Sequence, residues 1–195
     1  QMAHAARACL QDNFCGGVVV TKYGHVKGEI ANVACFEGGH PVPDENSLRG
    51  TDAALALTED LTESDTVVFL LSGGGSALFE KPLLPLAELQ DVTNQLLAAG
   101  ADIVEINTIR KRLSAVKGGR FARHCAPAQV FAVVLSDILG DPLDMIASGP
   151  AYPDSSSCAQ ALDIAKRYGL RLSERAWALL AQETPKTLEN VETQI

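Results

Sequence analysis

The run Thr66-Val67-Val68-Phe69-Leu70-Leu71 empties directly into Ser72-Gly73-Gly74-Gly75-Ser76-Ala77-Leu78, and this junction constrains the fold more than any other stretch. An apolar segment of strand length predicts a buried β-strand. Three glycines in succession permit positive φ angles and let the backbone approach a ligand without Cβ clashes. A helix is expected to begin near Ser76, with the serine hydroxyl as its N-cap. The N–H groups of such a loop form a nest suited to a phosphate or carboxylate. No Gly-Lys-Ser/Thr follows, so the loop is not a Walker loop, and it is not the dinucleotide fingerprint either. A merely tight strand-to-helix turn is the competing reading of the same residues.

Three further runs behave like the first. Gly17-Val18-Val19-Val20-Thr21 ends in Lys22-Tyr23-Gly24-His25, Asn32-Val33-Ala34-Cys35-Phe36 ends in Glu37-Gly38-Gly39-His40, and Gln129 to Leu135 ends in Ser136-Asp137. Between them lie helix-like segments: Gln1 to Leu10, Asp44 to Asp60, Pro85 to Gly100, Ile103 to Leu113, Ala159 to Tyr168, and Ser173 to Leu180 with Ser173 as N-cap and Trp177 on the core. Strands without period-two alternation, separated by helices, predict an α/β fold with a mostly parallel sheet and helices on both faces. Ligands bind beyond the carboxyl ends of such strands. One shared cleft would therefore gather His25, His40, Ser72 and Asp137.

A chain of 195 residues suits one domain with a substantial core, or one domain of something larger. Its formal charge of −8 argues against a nucleic-acid partner held on a broad basic face. No apolar run reaches the length of a membrane span and no signal segment opens the chain, so the expectation is a cytoplasmic protein without membrane contact. The five cysteines, Cys9, Cys15, Cys35, Cys125 and Cys158, contain no CxxC pair and read as reduced thiols. The histidines lack zinc-ligand spacing.

Arg110, Lys111 and Lys117 are the basic candidates for neutralising an anion, against the alternative of a solvated helix face. Asn107 precedes Arg110 and Lys111 by three and four residues and shares their helix face. Asp137, directly after a buried strand, is the leading acid: it would accept a substrate hydroxyl proton or bind Mg²⁺, or else cap its own turn. Asp141 and Asp144 are weaker metal candidates. His40 sits in a proline-stiffened loop, suited to a structural hydrogen bond as much as to catalysis. Ser148-Gly149-Pro150 is a turn that would face the cleft.

Taken together, Glu37-Gly38-Gly39-His40-Pro41-Val42-Pro43-Asp44, Leu71 to Leu78, Glu105-Ile106-Asn107-Thr108-Ile109-Arg110-Lys111, Leu113 to Arg120, and Ser136-Asp137 through Ala147-Ser148-Gly149-Pro150 resemble, in order and spacing, the type-2 glycerate kinase family. The resemblance implies a large Rossmann-like domain facing a smaller second domain. It also implies ATP- and Mg²⁺-dependent phosphorylation of the small molecule D-glycerate to 2-phosphoglycerate. Carried over by position, Ser72, Gly73, Gly74, Gly75 and Ser76 would hold phosphate or substrate. Lys117 and Arg110 would neutralise charge, Asp137 would orient or deprotonate the hydroxyl and bind the metal, and His40, Asn107 and Lys111 would contact substrate.

Departures from the family pattern set further expectations. The family's Gly-Lys-Ala motif, whose lysine is implied to be catalytic, precedes the opening helix and is not in this chain, and Arg112 stands where the family has a histidine. Residues 1–195 are thus expected to be part of the large domain, lacking the second, inactive alone and prone to self-association through exposed apolar surface. The rival readings are a hydroxypyruvate reductase, for which the chain offers no dinucleotide fingerprint, and a non-catalytic small-anion binding module.

Overall fold

The computed structural model describes residues 1–135 and 143–194. Eight α-helices and five strands are described: α1 (Met2–Leu10), β1 (Gly17–Lys22), β2 (Val33–Gly38), α2 (Glu45–Leu57), β3 (Thr66–Leu71), α3 (Gly75–Leu78), α4 (Leu86–Ala98), α5 (Ile103–Leu113), α6 (Arg120–His124), β4 (Gln129–Val134), α7 (Cys158–Arg167), α8 (Glu174–Leu180) and β5 (Val191–Gln194). Every described strand pairing is parallel. The α/β expectation holds.

The expected single sheet is instead two among the described residues. β1 pairs with β2, Gly17 opposite Val33, while β3, β4 and β5 form a separate three-stranded sheet with β4 in the centre. Thr66 lies opposite Gln129 and Val130 opposite Val191. Runs of apolar residues identify strands but not their neighbours, which tertiary packing decides. α2 lies on the β1–β2 pair at Gly50, where a Cβ would stand 2.7 Å from Val20 and 3.0 Å from Phe36. Glycine is what lets that helix seat so closely.

Helix ends follow local chemistry. Asp44 accepts the Ser47 amide at 2.9 Å and Asp102 the Glu105 amide at 2.9 Å, each within a capping box; Ser157 caps α7 in the same manner, and Ser173 caps α8 by accepting the Ala176 amide. Gly100, with φ 77°, terminates the α4 region.

Two hydrophobic cores carry most of the packing. Leu89, Val92, Leu96, Ile106, Ile109, Leu113, Ala161, Ile164 and Leu180 join α4, α5, α7 and α8, with Trp177 packed against them as expected. The other is aromatic: Phe69 of β3, Phe79 and Phe121 have ring centroids 5.0 to 5.4 Å apart. This trio fixes the chain on either side of the glycine loop. None of the described helices is long and apolar enough to cross a membrane.

Candidate active site

The glycine loop leaves the carboxyl end of β3 with Ser72 and Gly73 exposed and Gly74, Gly75 and Ser76 half-buried. The N-cap of α3 is Gly74, with φ 89°, rather than Ser76, which lies inside the helix. Only glycine adopts that conformation readily, and a Cβ there would stand 2.9 Å from the His40 ring. The chain therefore favoured the residue able to turn over the hydroxyl able to cap. α3 is a single turn, so its dipole adds little; the amides themselves matter more. Among the described residues, the amides of Gly73, Gly74, Gly75 and Ser76 donate to no acceptor. These are the amides to which the sequence reading assigns an anion.

His40 is exposed and its imidazole lies directly against Gly74, joining the end of β2 to the end of β3. His25 follows another path: its amide donates to the Lys22 carbonyl, and the neighbouring Val26 amide donates to Glu37. The expectation that both histidines meet the loop holds for His40 alone. Behind the loop run Ala147, Ser148 and Gly149, all left-handed, with φ 51°, 62° and 62°. Two non-glycine residues in that region cost backbone energy and persist only where neighbours over-determine them. Here Gly118 and Gly119 donate their amides to the carbonyls of Ser148 and Gly149. Ser76 Oγ lies 2.8 Å from Ser148 Oγ, which donates to Asn107 Oδ1 at 2.9 Å.

Beneath the loop sits a buried ionic cluster. Lys117 Nζ donates to the carbonyls of Ser76 (2.8 Å), Phe79 (3.0 Å) and Ala147 (3.4 Å) and lies 3.6 Å from the fully buried Glu80 carboxylate. Arg110 Nη2 donates to the same Ser76 carbonyl at 2.9 Å and to Glu80 at 3.3 Å. Burial, reinforced by Arg110 and opposed by Glu80, pulls the Lys117 ammonium down to about 8. Lys117 thus ties the loop to the left-handed wall. Arg110 keeps a donor in reserve: its Nε is buried without a hydrogen-bond partner among the described residues.

Lys111 is placed differently from the substrate contact expected of it. Its ammonium has no exposed surface and is held between Asp144 at 3.1 Å and Asp154 at 3.0 Å. Asp154 also receives Thr184 at 2.6 Å and lies 3.5 Å from Arg112, which donates to Ser156 and Glu183. Burial opposes ionisation of Asp154, yet the Thr184 hydrogen bond and the Lys111 charge hold its carboxyl below the usual range. Asp144, a weaker metal candidate, is bound to Lys111 and Ser155. Asp137 and Asp141 lie outside the described residues. No cluster of three His, Cys, Asp or Glu suited to a metal occurs among the described residues.

Glu80 and Asp154 are the site residues that sequence reasoning missed. Glu80 follows an apolar turn and Asp154 precedes a run of serines, and a lone acid in either setting reads as solvated surface until folding supplies its cations. Asn107 and Ser148 meet through a hydrogen bond across 41 positions of sequence, a pairing that sequence reasoning did not make.

Known proteins similar to this chain identify its family. A family described as Domain of unknown function (DUF4147) matches residues 1–181. The D-glycerate 2-kinase of Thermotoga maritima is 56% identical over 194 residues, covering 98% of this chain and 46% of that protein. An Agrobacterium vitis protein carrying a hydroxypyruvate reductase name is 43% identical over 192 residues, or 96% of this chain and 44% of that protein. Among solved structures, a Thermotoga maritima glycerate kinase superposes with a TM-score of 0.96 at 55% identity, over 99% of this chain and 47% of that one. A Pyrococcus horikoshii protein gives 0.92 at 38% identity, covering 99% and 46%. The chain spans about half the length of the relatives it matches. It belongs to the DUF4147 family and matches glycerate kinases along nearly all of its length.

Proposed function

We propose that this chain is part of the large domain of a glycerate 2-kinase that phosphorylates D-glycerate with ATP. The observation that carries the reading is the nest itself: four loop amides without an acceptor among the described residues, with the unpartnered Arg110 Nε in the same cluster. Phosphoryl transfer asks chiefly for positioning and for stabilisation of charge on the transferred group. Gly73 to Ser76 supply oriented N–H donors and Arg110 a cation. Lys117 adds positive potential from below, and His40 closes the side of the loop. In the reaction the 2-hydroxyl oxygen of glycerate bonds to the γ-phosphorus, the bond from that phosphorus to the β,γ-bridging oxygen breaks, ADP leaves, and the hydroxyl proton passes to a base. Asp137 is the residue we assign to that proton.

Mg²⁺ belongs to the same proposal, where it would neutralise phosphate charge. The described carboxylates below and behind the loop do not fit it, since Glu80, Asp144 and Asp154 are each engaged by lysine or arginine. Asp137 remains as the leading candidate to hold it, with Asp141 the weaker one.

Relatives that carry a hydroxypyruvate reductase name give the second reading its only support. The loop lacks the dinucleotide fingerprint. The experiment is a product assay on the full-length protein and on this chain: formation of 2-phosphoglycerate from D-glycerate and ATP, against oxidation of NADH by hydroxypyruvate. Phosphorylation by the full-length protein supports the kinase. NADH oxidation without phosphorylation would sink it, and neither activity alongside phosphate binding would leave an anion-binding module.

A further inference from the structure

Ser76 has one hydroxyl proton, and the residues around it decide where that proton goes. Ser148 Oγ donates to Asn107 Oδ1 at 2.9 Å. The Asn107 amide is oriented by Met145: its Nδ2 lies 3.8 Å from the Met145 sulfur, a weak acceptor. In the opposite orientation the amide oxygen would face that sulfur with no proton between them. Ser148 has only one proton, already committed to Asn107, so the 2.8 Å contact between the two serine hydroxyls requires Ser76 to be the donor. The Ser76 oxygen is left with lone pairs and no proton to offer.

From this direction we infer that the Ser76 side chain is a hydroxyl-accepting specificity group and that its hydroxyl does not bind phosphate. A fully ionised phosphate oxygen has only lone pairs and is repelled by such a group. A substrate hydroxyl supplies the proton that Ser76 lacks. The loop is thereby divided: the amides of Gly73 to Gly75 take the anion, and the Ser76 side chain takes an alcohol of the acceptor substrate. Asn107 and Ser148 are positioning residues, acting through the direction of the hydrogen-bond chain. Both are buried and need not touch the substrate.

This inference rests on the kinase reading, and its test begins with that reading. With the full-length protein, D-glycerate phosphorylation is measured first, then inhibition by 3-hydroxypropionate and by D-lactate, which lack the 2- and 3-hydroxyl respectively. In Ser76→Ala, discrimination against one of these two analogues falls about threefold to tenfold, the scale of one hydrogen bond, while KM for ATP is unchanged. Ser148→Ala serves as the second variant: it keeps the Ser76 oxygen but frees its proton to point outward, and the same discrimination falls. Asn107→Asp, which keeps an acceptor for Ser148, retains the discrimination better than Asn107→Leu. Unchanged discrimination in both serine variants, or a raised KM for ATP in Ser76→Ala, overturns the inference while the kinase reading stands. A wild-type protein that does not phosphorylate D-glycerate overturns both.

Discussion

Replacing Lys117 with methionine should remove a specific rise of stability at alkaline pH. The wild-type ammonium is completely buried, and burial lowers it from the ordinary 10.5 to about 8. Below pH 8 both folded and unfolded chains hold this proton, so its contribution is constant. Between about 8 and 10.5 the folded chain has released a proton that the unfolded chain keeps, so folding becomes more favourable as pH rises. Above that window the contribution is constant again. A drop from 10.5 to about 8 corresponds to roughly 3 kcal/mol in total, gained at up to about 1.4 kcal/mol per pH step of one. The measurement is urea unfolding of wild type and Lys117→Met at several pH values from 7.5 to 10, followed by circular dichroism. The free-energy gap between the two should move in favour of wild type by about 2 kcal/mol across that range, the rest of the total falling above pH 10. Cys125 acts in the opposite sense, because burial pushes its thiol up to about 11 and the unfolded chain then ionises first. Its effect is common to both proteins and cancels in the gap. A gap that stays constant within about 1 kcal/mol, or that narrows as pH rises, would refute the assignment of Lys117 as a buried, destabilised cation.

Gly74→Ala combines a forbidding φ of 89° with a Cβ 2.9 Å from His40, and should weaken ATP binding by the full-length protein more than tenfold in calorimetric titration. Adding His40→Ala should restore part of that loss but not all, since the backbone strain remains. Asp154→Asn leaves Lys111 and Arg112 buried beside a neutral group and should cost about 3 to 5 kcal/mol in urea unfolding at pH 7. Phe79→Ala opens the aromatic trio and should cost a similar 3 to 5 kcal/mol by the same measurement; a loss under 1 kcal/mol would mean the trio packs loosely.

Strand β3 and its loop were legible because apolar length and glycine content act locally. Thr66–Leu71 is found with the bounds read from sequence, and the same holds within a residue or two for α4, α5, α8 and β4. The Ser173 cap of α8 was legible for the same reason, whereas the Ser157 cap of α7 went unread and at Ser76 the need for a positive φ outweighed the cap. The division into two sheets was not legible, because neighbours in a sheet are chosen by side chains far apart in sequence. Strand β5 gave no signal either: Val191-Glu192-Thr193-Gln194 lacks the apolar run that marked the others. In the site, Ser76, Ser148 and Asn107 are linked by hydrogen bonds that no motif announced, and Lys111 and Lys117 spend their charge inside the protein. A lysine in sequence carries no sign of whether a carboxylate awaits it. Glu80 and Asp154 were invisible on the same account.

Gly75 and Ala147 face one another across the loop and its wall so closely that a Cβ on Gly75 would stand 2.8 Å from that of Ala147 and 2.8 Å from Leu71 Cδ1. The gap between the two backbones has room for one methyl group, and Ala147 already fills it. The choices at positions 75 and 147 are therefore tied by space, and substitutions there are tolerated in one order. Alanine at 147 can first become glycine, which also relieves a left-handed alanine with φ 51°. Only then is a methyl admitted at 75, with Leu71 rotating aside. Taken in reverse, the first step closes the space on which the loop's approach depends, so the two positions change together or in that order alone.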